Sequence, residues 1–322
     1  MNWKLIFLLC LPFILFYFFC TPHKNSVYRF RSIEKPFRAA QNSSYSFRKT
    51  TVSICVAVRS KPSWKSLHDS SLQKLLIPSI QRTITERERK VFDIRLYLAA
   101  DSDDFFFLHH KKNIRTEPWL QVFFKFYKKI DHKIPFNRIT KDAFLDGTDY
   151  FVRVNDDTEF TSIAWIEEAV RVLKSFEPSN VGVVGPICKE GNTKILTHDM
   201  VHRTHLEIFK TYYPEIFSSW WVDDWISSVY GKKRTMRLSS WHVKHHTHVH
   251  GRRYMVQEHE RQHLPETLRK DQETLFNFLI QKQHGGLNKT VVVIGKGESA
   301  KPVQKHRDNI IVTVNHALGF QN

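Results

Sequence analysis

Only four cysteines occur in 322 residues, and two of them, Cys10 and Cys20, fall in an apolar N-terminal run. That excludes a scaffold framed by disulfides. Cys55 and Cys188 read as two buried free thiols, since a free Cys behaves as a small hydrophobe. The chain also has no long basic block with interleaved glycines and no RNA-binding signature. It is nevertheless basic: Lys and Arg outnumber Asp and Glu by 49 to 32, for a formal net charge of +17. A surplus spread over the whole chain favours acidic substrates or anionic membrane surfaces, and nucleic acid is not an expected partner. No small-x-small cleavage site follows the N-terminal apolar run. What is present is enough apolar residue, 41% of the chain, for a real core, and enough length for one large domain or two moderate ones.

Leu5–Cys20 is an uncharged run that would span ~24 Å as a helix, a little less than the ~30 Å hydrocarbon core of a bilayer. With no cleavage site, it reads as a signal anchor, and residues 1–22 as a cytosolic tip plus that anchor. His23–Lys49 is polar, basic and serine-rich, a flexible stem. Residues 50–260 form the main α/β body, 261–287 a helical linker, and 288–322 the start of a second, truncated α/β unit. In that tail TVVVI runs into Gly295-Lys296-Gly297, a strand followed by a glycine loop that offers backbone amides to phosphate.

Within the body, apolar runs at Thr51–Arg59, Phe92–Ala100, Tyr150–Val154 and Asn180–Ile187 read as strands. Helical periodicity separates several of them: Ser66–Glu88, bent at Pro78, and Ser162–Phe176. Alternation of this kind predicts a mostly parallel sheet flanked by helices. Ile114–Ile130 is aromatic-rich and reads as helical, and Leu264–Gln283 as a helix stopped by glycines. Gly182 and Gly185 permit close backbone approach.

Three stretches carry chemistry. The first is Asn155-Asp156-Asp157-Thr158-Glu159, directly after the apolar strand ending at Val154. Unpaired carboxylates are expensive to bury, so they belong at the strand's mouth. An oxygen-rich site there suits Mg²⁺ or Mn²⁺ bridging to substrate phosphates. The bland alternative is a turn whose acids cap the next helix. The second is Ser218–Gly231, SSWWVDDWISSVYG. Asp223 and Asp224 sit among Trp220, Trp221 and Trp225; flat rings beside a carboxylate suit a sugar, and an acid in apolar surroundings has the raised pKa a general base needs. Here the alternative is a helix start with the tryptophans as core. The third is Thr235–Val256, which alternates like a strand and would place His246, His248 and His250 on one face, followed by Arg252 and Arg253, suited to a diphosphate. His198, His202 and His205 would share one face if their segment were helical, but no Glu or Cys in register completes a zinc site.

Taken together, residues from about Val52 to Val256 resemble the GT-A class of glycosyltransferases, on the strength of the first strand, the acidic loop after an early strand, the short acidic motif at 155–157, the pair in WWVDDW and a downstream histidine. The resemblance implies an α/β fold, a nucleotide-sugar donor, a divalent cation and a glycan, glycoprotein or glycolipid acceptor. It implies Asp157 as metal ligand, joined by His248 or His250; Asn155 and Asp156 at the donor; and Asp223 or Asp224 as base in an inverting reaction. One residue departs from the pattern: Asn155 stands where the first acid is usual. The tail from Thr290 is faintly similar to the nucleotide-binding start of sialyltransferase-like proteins. Anchored members usually face the Golgi or ER lumen, and that placement is expected here, although His23, Lys24, Arg29 and Arg31 flank the wrong side of the anchor for the positive-inside rule. A non-catalytic carbohydrate-binding or scaffold protein on a degenerate version of the fold is the alternative, and Asn155 favours it.

Overall fold

The structure, a computed structural model, describes residues 48–250, 254–283, 291–294 and 310–313. Its centre is β1 (Thr50–Ala57), buried along nearly all its length. On one face of the sheet Val52, Ile54 and Val56 join a large apolar cluster, and on the other Cys55 joins a second. A strand covered on both sides needs no polar alternation, which is why its sequence reads as a continuous apolar run.

Three further strands run parallel in this half of the sheet: β2 (Phe92–Asp101), β3 (Gln121–Tyr127) and β4 (Tyr150–Asn155). The crossover from β1 to β2 holds α1 (Ile77–Thr83) and α2 (Glu86–Val91); α3 (Phe105–His110) follows β2, and α4 (Phe136–Leu145) precedes β4. Beyond β4 come β5 (Thr158–Phe160), α5 (Trp165–Ser175), β6 (Val183–Cys188), β7 (Asp199–His202), α6 (Thr204–Phe209), α7 (Val222–Val229), β8 (Thr235–His245), α8 (Thr247–His250) and α9 (Leu264–Gln283). The eight strands hydrogen-bond in the order β3-β2-β1-β4-β7-β6-β8-β5. β7 is antiparallel to both neighbours and β5 is antiparallel to β8, so the sheet is mixed. β9 (Val291–Ile294) and β10 (Ile310–Thr313) form a separate parallel pair. The glycine loop expected between them lies outside the described residues.

Several expectations are corrected. Ile114–Ile130 is not a helix but contains β3. Val122, Phe124 and Phe126 pack on one core cluster while Phe123 and Tyr127 pack on the other, a period of two that fixes a strand. Ser66–Glu88 is not one bent helix. It breaks at Ile84, and Thr85 starts α2 with a reciprocal cap: its side chain accepts from Glu88 N, and Glu88 accepts from Thr85 N. Glu88 is fully buried and also accepts from Ile166 N and Glu167 N at 2.9 and 3.2 Å, so one carboxylate caps both α2 and α5. The segment of His198, His202 and His205 is not helical throughout, since β7 and α6 divide it, and the three share no helical face. Leu264–Gln283 is a helix with the expected bounds, α9, and it lays Leu275, Leu279 and Ile280 against the body.

On the first face, α5 sits over a stack of Phe160, Trp165 and Trp241, with Trp165 4.6 Å from the first ring centroid and 4.8 Å from the last. Gly185 on β6 is needed for close approach: a Cβ there would stand 2.5 Å from the His198 carbonyl. Among the described residues no helix is long and apolar enough to cross a membrane. The run expected as an anchor lies outside them.

Candidate active site

β1, β2 and β4 are parallel, so their carboxyl ends open on one edge, the edge where ligands of open α/β sheets bind. At the end of β4 the chain turns through Asn155, Asp156 and Asp157 into β5. Asp156 is fully buried and Asp157 is 5% exposed. β5 pairs with β8 so that Thr158 faces His245. That register brings the His245 Nε2 to 3.1 Å from Asp157 Oδ1 and 3.1 Å from Asn155 Nδ2. The histidine beside the acidic turn is thus His245. His248 is 71% exposed and faces Glu190 at 3.7 Å, because β8 stops at His245 and turns into α8. The expected single face of His246, His248 and His250 does not exist; His246 lies 3.0 Å from Glu159. The side chain of His250, and both Arg252 and Arg253, lie outside the described residues.

The second half of the site is tied to the first by Arg153, the one charge in β4. It points to the face opposite Val152 and Val154 and is 6% exposed. Its guanidinium donates to Asp199 at 3.1 Å, to Tyr213 Oη at 2.7 Å, to the Thr197 carbonyl at 2.6 Å and to Asp223 at 2.5 Å. Burial opposes its charge, but Asp223, Tyr213 and Asp199 outweigh that and hold it firmly protonated. From Thr197 the network continues. Thr197 Oγ1 is 3.0 Å from His198 Nδ1, His198 Nε2 is 2.7 Å from Thr158 Oγ1, and the His198 and His245 rings meet edge to face at 5.1 Å. Burial first, and then the neighbourhood of His245 and Arg153, pushes the His198 pKa well down, which keeps its ring neutral. Hydrogen bonds thus run from Asp223 through Arg153, Thr197 and His198 to Thr158, the residue that follows the acidic turn.

Asp223 and Asp224 occupy the first turn of α7, where the helix dipole favours negative charge. Their environments differ. Asp223 is held by Arg153; the Asp224 carboxyl is pushed up by burial and then by the neighbouring charge of Asp223. The preceding residue, Trp221, has φ 69°, a left-handed conformation that costs a β-bearing residue on the order of 1 kcal/mol. Its indole donates to the Gln257 carbonyl at 3.3 Å, and the Arg261 guanidinium lies 5.5 Å from its ring centroid. Trp220 is 41% exposed. Trp225, expected to stack on substrate, is fully buried in the second core cluster with its Nε1 donated to Asp271 at 2.9 Å, so its ring presents no free face.

A third acidic group shares the edge. Asp101 at the end of β2 is buried, and burial pushes its carboxyl up against the opposing pull of Arg59. Arg59 pairs closely with Asp103, drawing that carboxyl down to about 2. Tyr254 Oη lies 3.5 Å from Asp101 and brings the chain after α8 to this edge. Asp104 caps α3 and binds Ser60, a structural role.

A divalent cation can be tested against these donors. Among the described residues, no three His, Cys, Asp or Glu side chains gather closely enough to hold one. Asp157 and His245 supply two, with Asn155 beside them, a set that fits an ion sharing its remaining positions with water and phosphate oxygens.

No protein family matches the sequence, and no curated protein matches it. Among solved structures, the Staphylococcus aureus TarS fragment 1-349 in complex with UDP-GlcNAc is 13% identical, with 72% of this chain and 66% of that chain covered and a TM-score of 0.42. A second structure of TarS 1-349 is 13% identical, covering 61% of this chain and 60% of its own, with a TM-score of 0.39. The chain thus spans less than two thirds of those fragments.

Proposed function

We propose that the chain is a glycosyltransferase of the GT-A type that moves a sugar from a nucleotide-sugar donor to an acceptor hydroxyl. The observation that supports this reading is the Arg153 bridge: β4, the strand that leads into the turn at 155–157, is hydrogen-bonded through Arg153 to Asp223 in the first turn of α7. A donor needs a place for its diphosphate and an acceptor needs a base, and the two acidic groups divide those tasks. Asp157 and His245 are the residues that would hold Mn²⁺ or Mg²⁺, which when bound supplies positive charge to a leaving diphosphate. Arg252 and Arg253 are proposed to add to it.

Asp224 is the base we assign. Asp223 is committed to Arg153 and serves to fix the turn, whereas Asp224, with its raised affinity for a proton, takes one from the acceptor hydroxyl onto a carboxylate oxygen. Trp220 offers an exposed ring for the acceptor sugar, whether on a glycan, glycoprotein or glycolipid. An anchor at Leu5–Cys20 and a luminal body belong to the same proposal.

Transfer and donor hydrolysis with UDP-, GDP- and CMP-sugars, with Mn²⁺ and with chelator, test it. Asp157→Ala is expected to abolish turnover with the thermal transition retained, and Asp224→Asn to lower kcat by about 10²–10⁴-fold. Full activity in either variant sinks the assignment of that residue. The second reading, a carbohydrate-binding protein without catalysis, is favoured by Asn155; saturable glycan binding with no turnover of any donor would select it.

A further inference from the structure

A cavity of about 400 Å³ lies at the other end of the strands, against the starts of β1 and β2 and beside Trp119, which precedes β3. It is separated from the candidate active site by the length of β1, roughly 26 Å at ~3.3 Å per residue. Four cations line it: Arg48, Lys49, Arg89 and Arg95. Two of them are already neutralised. Arg48 makes a forked pair with Asp149 at 2.7 and 2.8 Å, and Arg95 pairs with Asp93 at 2.7 Å.

The other two are not. Lys49 Nζ donates to the Arg89 carbonyl at 2.8 Å, an uncharged acceptor. The Arg89 guanidinium lies 5.1 Å from the Trp119 ring centroid. Arg89 Nε is buried and has no hydrogen-bond partner. Among the described residues neither Lys49 nor Arg89 has a carboxylate partner. A buried guanidinium N–H left unmade is costly, and an oxyanion is the acceptor that best matches it. Two uncompensated positive charges match a dianion, and the flanking ion pairs hold the walls in place before it arrives. The volume exceeds what one oxyanion fills and lies in the range of small-ligand sites.

We propose that this cavity is a second binding site, specific for a phosphate monoester, with Lys49 and Arg89 on the phosphate. The shared chemistry is a terminal phosphate dianion, carried either by a soluble ester or by a lipid headgroup. The site is independent of the glycosyl-transfer reading.

The test is calorimetric titration of the full chain with glycerol 3-phosphate, alongside sedimentation with phosphatidylcholine vesicles with and without phosphatidic acid. Lys49→Gln/Arg89→Gln is expected to weaken glycerol 3-phosphate binding at least about tenfold. Lys232→Gln/Lys233→Gln removes the same charge from an exposed turn and is expected to leave binding unchanged. Binding of the soluble ester alone supports the site with a soluble ligand; binding of phosphatidic acid vesicles as well, lost in the same double variant, supports it with a headgroup. Equal weakening in both double variants, or no saturable binding of any phosphate probe, overturns it. On the unsubstituted protein, glycerol 3-phosphate should slow acylation of Lys49 but not of Lys232. Equal rates with and without the ester overturn the site without recourse to a variant.

Discussion

Replacing Arg153 with methionine removes a charge that four partners share while keeping most of the side chain's apolar stem. Deleting one member of a buried ion pair costs ~3–5 kcal/mol, because the other charge stays behind unpaired. Two features place Arg153→Met near the lower limit. Asp199 keeps hydrogen bonds from Tyr212 and Tyr213 at 2.6 and 2.8 Å. Asp223 is 31% exposed at its side chain, so water can take over part of its solvation. We therefore expect a loss of ~3 kcal/mol in urea unfolding, with an unchanged m-value. Adding Asp199→Asn removes the stranded charge and should restore roughly half of that loss, ~1.5 kcal/mol; the coupling in the double-mutant cycle is that recovery plus whatever Asp199→Asn costs alone. A loss below ~1 kcal/mol for Arg153→Met, or no recovery from Asp199→Asn, would refute the account of Arg153 as the member that binds the two halves of the site.

Gly185→Ala drives a methyl into the His198 carbonyl and the Leu196 side chain, and should cost ~1–3 kcal/mol of unfolding free energy by denaturant titration; a neutral result would mean that the 196–198 segment yields freely. Glu88→Ala strands the first amides of α5 and the cap of α2, and is expected to cost ~2–3 kcal/mol while exchange of the Ile166 and Glu167 amides accelerates. His205 is fixed neutral between Tyr230 Oη and the Tyr212 carbonyl, and burial lowers its pKa to about 4. Between pH ~6.5 and ~4 the unfolded chain binds this proton and the folded chain does not, so stability falls as pH falls across that window, by on the order of 3 kcal/mol for this ring. Thermal unfolding measured across that range should show His205→Phe with a shallower slope than the unsubstituted chain; identical slopes would count against it.

Much of the architecture was legible because long apolar runs are hard to satisfy any other way. The continuous runs of β1, β2 and β4 announced buried parallel strands, and the periodicity of 162–176 announced α5. β3 was hidden by composition: its aromatics face two different clusters, and aromatic density masked a period of two. The divided segment 197–217 was hidden by histidine spacing that fitted a helix by chance. In the site, the acidic turn and the pair at 223–224 could be read from local sequence. His248 and His250 were favoured over His245 although a signal for His245 existed: Trp241 and Val243 are both buried, and the next residue of that parity is His245, not His246. Arg153 read only as an exception inside an apolar strand. Its partners, Asp199, Tyr213 and Asp223, come from 46 to 70 residues further along, and no local pattern encodes that.

The pairing of β5 with β8 has a bearing on how the protein comes into being. Asn155 and His245 meet across 90 residues of chain, and the strand that carries His245 is the last to join the large sheet. During synthesis the first four strands can emerge and dock while the turn beyond β4 still waits for its histidine. A nascent or prematurely terminated polypeptide thus lacks the β5–β8 pairing, and Asn155 meets His245 only after nearly the whole body has left the ribosome.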